Sequence, residues 1–245
     1  AYRQEGGFAE AIEMCNGQGA CRKVTEGTMC PSYMATRDEE HSTRGRANAL
    51  RSAISGALPV DSLTSKRLYN VMDLCLECKG CKIECPSNVD MARLKYEFLY
   101  WYHQANGYPI RNRLFGNISE ISRLGSFFAP ISNWIVKASL TKDMLDKFVS
   151  IDKRREFPLF TNQTFTQWFR ARGGSSEGMF GQVLLFADTF TNYNHPEIGI
   201  SATLVLEKMG YQVVLVPTRC CGRPMLSNGI LEKARSNARF NVESV

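Results

Sequence analysis

Residues 75–86 read Cys75-Leu76-Glu77-Cys78-Lys79-Gly80-Cys81-Lys82-Ile83-Glu84-Cys85-Pro86. This is the C-x2-C-x2-C-x3-C-P run of bacterial ferredoxins. Two intervening residues let a tight loop wrap three thiolates around one face of an iron–sulfur cubane. Gly80 is expected to allow close backbone approach, and Pro86 turns the chain away. In two-cluster ferredoxins the fourth cysteine ligates the other cluster. Zinc is the rival metal, but zinc sites usually pair two C-x2-C knuckles at a distance. Four cysteines this dense, ending in Cys-Pro, fit iron and sulfide better.

A second run is then required, and residues 15–31 supply an altered one. Cys15-Asn16-Gly17-Gln18-Gly19-Ala20-Cys21 is followed, after eight residues, by Cys30-Pro31. On the same template Gln18 stands where a second cysteine would be. The exchange rule assigns Cys30, Cys75, Cys78 and Cys81 to one 4Fe–4S cluster. It leaves Cys15, Cys21 and Cys85 for a second centre with only three thiolates. That centre is either 3Fe–4S or, as favoured here, 4Fe–4S with one iron taking water or a non-cysteine ligand.

Around these runs the chain has 245 residues, nine of them cysteine, and a net charge of +6. Apolar residues make up 44% and charged residues 22%, ordinary for a globular chain. No apolar run approaches the roughly 20 residues a membrane span needs, and no signal peptide opens the chain. The clustered cysteines suggest metal ligation in a reducing compartment. A cytoplasmic location follows, with peripheral attachment at the inner membrane face a further expectation. Residues 91–172 hold thirteen Lys/Arg against six Asp/Glu, a basic segment that could face anionic lipid or an acidic partner. The chain lacks an initiator methionine and stops inside a helical pattern, so a piece of a longer polypeptide is expected.

Between the runs, Ser42 or Thr43 should cap a helix to about residue 56, with Leu50, Ile54 and Leu58 on its apolar face. A second helix over about 65–74 leads into Cys75. Arg44 and Arg46 are candidates for offsetting cluster charge or donating hydrogen bonds to it. His41 is a candidate missing ligand, although a capping or surface role fits it better. Asn88 should cap a helix through Tyr100. The aromatic residues Phe98, Tyr100, Trp101, Tyr102, Phe115, Phe127, Phe128 and Trp134 are expected to pack in a core rather than form a quinone or membrane site.

Further on, Gln182–Phe186 and Gln212–Val216 read as buried strands. They flank a helix, Pro196 to Met209, with Ile198, Ala202, Val205 and Leu206 on one side. This β–α–β unit predicts a parallel pair. The second strand runs into Cys220-Cys221-Gly222-Arg223-Pro224, at the strand end where α/β sheets place ligands. Cys220 and Cys221 could share a metal or act as redox thiols. The expected fold class is α+β. It comprises a mainly helical two-cluster ferredoxin-like domain over 1–105, a helical connector and linker over 106–180, and a partial α/β Cys-Cys-Gly domain over 181–245.

Taken together, several motifs resemble the iron–sulfur half of fused FAD-binding and Fe–S-binding oxidoreductases. They are Cys15 to Lys23, Met29 to Tyr33, Ser42 to Asn48, Cys75 to Pro86, Asp188 to Tyr193 and Cys220 to Pro224. That family is similar to the glycolate oxidase iron–sulfur subunit, to D-lactate and D-2-hydroxyglutarate dehydrogenases, and to the anaerobic glycerol-3-phosphate dehydrogenase iron–sulfur subunit. The resemblance implies FAD on an upstream domain or partner, which takes a hydride from a 2-hydroxy acid. The clusters then pass electrons singly to a quinone or another carrier. It also implies a Cys-Cys-Gly domain related to heterodisulfide reductase, in which paired motifs can bind an unusual 4Fe–4S cluster. Thr189 departs from it, standing about where many such domains carry a cysteine, and this puts a third metal at Cys220 and Cys221 in doubt. Three histidines far apart and no nucleophile motif leave substrate chemistry elsewhere. Two rival classes are a thiol–disulfide reductase acting through Cys220 and Cys221, and a zinc-binding module using its basic face on nucleic acid; the leading reading has no nucleic-acid partner.

Overall fold

The computed structural model describes residues 2–245. It is mostly helical, with one two-stranded parallel sheet. The chain divides into two compact units. One comprises the residues up to Tyr108 plus Ser227–Leu231; the other comprises Pro109–Leu226 and Glu232–Val245.

The first unit holds α1 (Phe8–Glu13), α2 (Pro31–Thr36), α3 (Thr43–Ile54), α4 (Lys66–Asp73), α5 (Gly80–Glu84) and α6 (Met91–Asn106). Ser42 caps α3 as expected, its hydroxyl accepting the Gly45 N–H at 2.9 Å. Ser65 caps α4 in the same way. Asp90, not Asn88, caps α6. Asn88 instead sits at φ 58°, in the turn that carries the chain out of Cys85-Pro86, a conformation Asn tolerates better than most residues. The core is built from Ile12, Leu50, Met72, Val89, Leu94 and Phe98, all essentially inaccessible to water. Leu50 joins it as expected, whereas Leu58 lies beyond the end of α3 and is 44% exposed.

The second unit holds α7 (Ile110–Gly116), α8 (Ile118–Phe127), α9 (Ala129–Lys137), α10 (Ser139–Val149), α11 (Phe165–Ala171), β1 (Gln182–Leu184), α12 (Thr189–Tyr193), α13 (Pro196–Lys208), β2 (Gln212–Val214), α14 (Arg223–Leu226) and α15 (Leu231–Glu243). Thr164 and Gln167 form a reciprocal capping box at the start of α11. Strands β1 and β2 pair in parallel, Val183 opposite Val213. The stretches 106–180 and 181–245 fold largely together in this unit.

Three apolar patterns turn out differently from expectation. Strand β1 is not buried: Leu184 is 46% exposed and Phe186, beyond its end, 42%, because a two-stranded sheet offers little cover. On α13 the buried positions are Gly199 and Thr203, while Ile198 and Val205 face water. Gly199 marks the contact, since a Cβ there would meet the Phe165 ring at 2.7 Å. Among the aromatics, Phe98 and Tyr102 enter the first core, but Trp101, Phe127, Phe128 and Trp134 are exposed.

Candidate metal centre

The cysteine loops owe their shape to a few backbone positions. Glu77 and Lys79 both adopt positive φ, at 56° and 61°, folding residues 75–81 into a tight wrap before α5. Gly80 has an ordinary φ, and its lack of a side chain serves a different contact from the one expected. A Cβ there would lie 3.1 Å from Thr28 Oγ1 and 3.3 Å from Thr28 O. The glycine therefore lets the strand of chain before Cys30 pack on the loop. Glu84 secures that packing, its carboxylate accepting the Thr28 N–H at 2.6 Å and the Met29 N–H at 3.1 Å. Gly45 does the same job at α3, where a Cβ would meet Glu39 O at 2.0 Å. This close approach fixes Arg44 beside Cys21 and Arg46 beside Cys30.

The result is a pair of neighbouring pockets. One is lined by Cys30, Cys75, Cys78 and Cys81. The other is lined by Cys15, Cys21 and Cys85, with Asn16 and Gln18 beside them. Met29 and Thr43 line both, so the pockets share a wall. All nine cysteines are free of disulfides. Among the described residues no three His, Cys, Asp or Glu side chains converge as they would on a single metal ion. The seven thiols instead stand around the two pockets, the arrangement an inorganic cluster needs.

The surroundings suit an anionic cluster. Arg46 is wholly buried and reaches Cys30 Sγ at 3.7 Å, while donating to Val71 O at 2.9 Å, Ser32 Oγ at 3.0 Å and His41 O at 2.7 Å. Its Nη2 is buried with no acceptor, a donor left over beside the thiol-lined pocket. The Arg44 backbone N–H donates to Cys21 Sγ at 3.3 Å, and its side chain is held by Glu39 and by Gly17 O. Burial pushes the Cys81 thiol up to about 11 and also raises Cys21 and Cys75. Burial raises Cys30 too, but the Ser32 hydrogen bond and the Arg46 charge outweigh it and leave this thiol lowered. Buried thiolates are thus unfavourable on their own, and a bound metal deprotonates its thiol ligands outright.

Two contributors carry no sequence motif. Lys95, buried in α6, donates to Cys75 O at 2.8 Å and Asp73 O at 3.1 Å, and pairs with Glu77 at 3.2 Å. Glu84 ties residues 28 and 29 to α5. Neither could be recognised from spacing, because their partners lie 18 or more positions away in the chain. Buried charge in an otherwise apolar helix is the one available signal for Lys95. His41 does not enter either pocket; its Nδ1 lies 3.0 Å from Thr36 Oγ1. Cys220 is buried and Cys221 is exposed, so the two side chains meet different surroundings in the second unit.

The first unit thus holds two neighbouring cysteine-lined pockets. Residues 14–90 match the 4Fe–4S dicluster domain family, so iron–sulfur ligation, not the zinc alternative, describes this region. The chain is similar to one of the subunits of the anaerobic glycerol-3-phosphate dehydrogenase of Escherichia coli K12, 35% identical over 137 residues, covering 56% of this chain and 35% of that protein. It is similar also to the D-2-hydroxyglutarate dehydrogenase of Pseudomonas putida KT2440, 25% identical over 268 aligned positions, covering 91% of this chain and 26% of that protein. A shorter match, 30% over 86 residues, covers 35% of this chain and 18% of a probable glycolate oxidase iron–sulfur subunit of Bacillus subtilis. These relatives are oxidoreductases, as the motifs implied, and this chain resembles their iron–sulfur portion. It spans about a third or less of their length. No solved structure matches the chain.

Proposed function

We propose that this chain is the electron-transfer module of a flavin-linked 2-hydroxy-acid dehydrogenase. Cys30, Cys75, Cys78 and Cys81 would hold a 4Fe–4S cluster, and Cys15, Cys21 and Cys85 a second one. Bound there, the clusters would supply one-electron transfer between FAD, carried on an upstream domain or partner, and a quinone or other carrier. The observation that carries this reading is the shared wall of Met29 and Thr43 between two thiol-lined pockets. Adjacent centres suit transfer between them. Arg46 and the Arg44 backbone N–H direct positive charge and a donor at Cys30 and Cys21, which stabilises added negative charge. The segment Cys220-Cys221-Gly222 after β2 is read as part of a Cys-Cys-Gly domain, supported by the parallel pairing of β1 and β2.

Iron and sulfide analysis with low-temperature EPR tests the reading. Anaerobically purified protein should contain about seven or eight irons; about four would reject the second centre, and none would reject the proposal. Gln18 lines the three-cysteine pocket at the missing ligand position, so Gln18→Cys is expected to supply a fourth thiolate. Oxidised wild-type protein should lose any 3Fe–4S signal on this substitution, or become more resistant to iron loss if the centre is already 4Fe–4S.

A cytoplasmic chain held peripherally at the membrane fits α8–α10. No described helix is long and apolar enough to cross a membrane, yet Phe127, Trp134, Leu140 and Phe148 are 79%, 73%, 71% and 68% exposed. Lys137, Lys142 and Lys147 lie on the same helices, a composition that suits a lipid interface. Vesicles rich in anionic lipid should bind the protein and shift Trp134 emission to the blue, and Trp134→Ala should weaken binding roughly tenfold. Equal partitioning of wild type and variant would refute this attachment.

A further inference from the structure

The second unit contains a cavity that the electron-transfer reading leaves unused. Its volume is about 930 Å³, near the upper end of the roughly 300–1,000 Å³ typical of small-molecule sites. It opens where the parallel strands β1 and β2 both end, lined by Ala187 on one side and by the run Leu215–Cys220 on the other. The carboxyl edge of such strands is where open α/β sheets receive ligands.

Its charge is one-sided. Arg123, Arg170 and Arg219 line it, and no Asp or Glu does. No described carboxylate forms an ion pair with any of the three, although Arg172 and Lys233 nearby in the chain are both paired. The one acid at the rim of β1, Asp188, is committed elsewhere: its carboxylate accepts the N–H groups of Phe190 and Thr191 at the start of α12. Arg219 lies 4.3 Å from the centre of the Phe240 ring, which steadies it at the wall. Asn192, nearly buried, is oriented by the Thr166 N–H bonded to its Oδ1 at 3.0 Å. Phe169 and Phe240 add apolar surface for a carbon skeleton.

We propose that this cavity binds a small organic oxyanion, a molecule carrying carboxylate or phosphate groups. Three unpaired guanidinium forks match such groups in geometry as well as in charge. The space exceeds that of a bare inorganic ion, and the aromatic walls explain the excess. Cys220, buried at the wall, would then be shielded by the ligand.

The test is calorimetric titration of the full cluster-loaded chain with glutarate, with glycerol 3-phosphate and with glycerol. At least one of the two anions should bind saturably at one per chain, and neutral glycerol should not. A preference between them identifies carboxylate or phosphate as the group read. Arg170→Gln and Arg219→Gln should each weaken binding about tenfold and their combination should abolish it. Lys208→Gln, an exposed cation outside the cavity, should change nothing. Absence of saturable binding of either anion below about 1 mM overturns the proposal, as does unchanged affinity in the double variant. The cysteine pockets belong to the other unit, so the visible absorbance of the clusters reports on the electron-transfer reading separately.

Discussion

Replacing Cys30 with alanine is expected to cost the protein its 4Fe–4S cluster at Cys75, Cys78 and Cys81 and to loosen the whole first unit. Cys30 is the one member of that pocket contributed by the distant run, and it stands at the start of α2. The linkage it makes spans 45 residues to Cys75. Cluster binding is coupled to folding, because no preformed site exists in the unfolded chain. Iron and sulfide should fall by about half relative to wild type, and the thermal midpoint should drop markedly. Cys221→Ala, an exposed cysteine outside both pockets, should leave iron content and midpoint as they are. Retention of full iron by the Cys30 variant would mean that the two runs do not exchange ligands.

Arg46→Met carries the second large effect. The side chain is wholly buried and serves Val71 O, Ser32 Oγ and His41 O as well as Cys30 Sγ. Methionine fills much of the volume but takes the guanidinium donor from Val71 O and leaves His41 O to the Ser32 hydroxyl. A buried acceptor left without its donor costs about 1–3 kcal/mol, so unfolding by denaturant should begin earlier. The cluster at Cys30 should also shift to a more negative reduction potential, since a positive charge and a donor to sulfur have both been removed. Arg46→Lys separates the two effects. It keeps the charge and loses the planar fork, so the potential should recover more fully than the stability. Were the potential to stay unchanged in Arg46→Met, the arginine would be a structural brace alone.

Both pockets meet the start of α3, where Thr43 lines each of them. Arg44 and Arg46 flank Gly45, whose missing side chain lets α3 rest on Glu39 and Glu40. The contacts of Arg44 with Cys21 and of Arg46 with Cys30 therefore depend on a single turn. Lys95 and Glu84 brace the loops from outside, one under Cys75 and the other beneath Thr28.

Much of this was readable before any coordinates. The cysteine spacing specifies the chemistry, because three thiolates two residues apart can face one cluster whatever surrounds them. The cap at Ser42 and the parallel pairing of β1 with β2 are equally local, resting on hydrogen bonds within a few residues or on a short crossover. Gln18 announces the three-thiolate pocket by its place in the template. Burial was not readable in the same way. Apolar periodicity shows which face of a helix could be covered, but covering it needs a neighbour, and α13, β1 and α8–α10 expose apolar side chains that their patterns alone would send inward. The support of the pockets by Lys95 and Glu84, the use of Gly80 against Thr28, and the gathering of Arg123, Arg170 and Arg219 around one cavity all join positions far apart in the chain. Such contacts arise only when packing brings separate elements together, and no local rule of sequence encodes them.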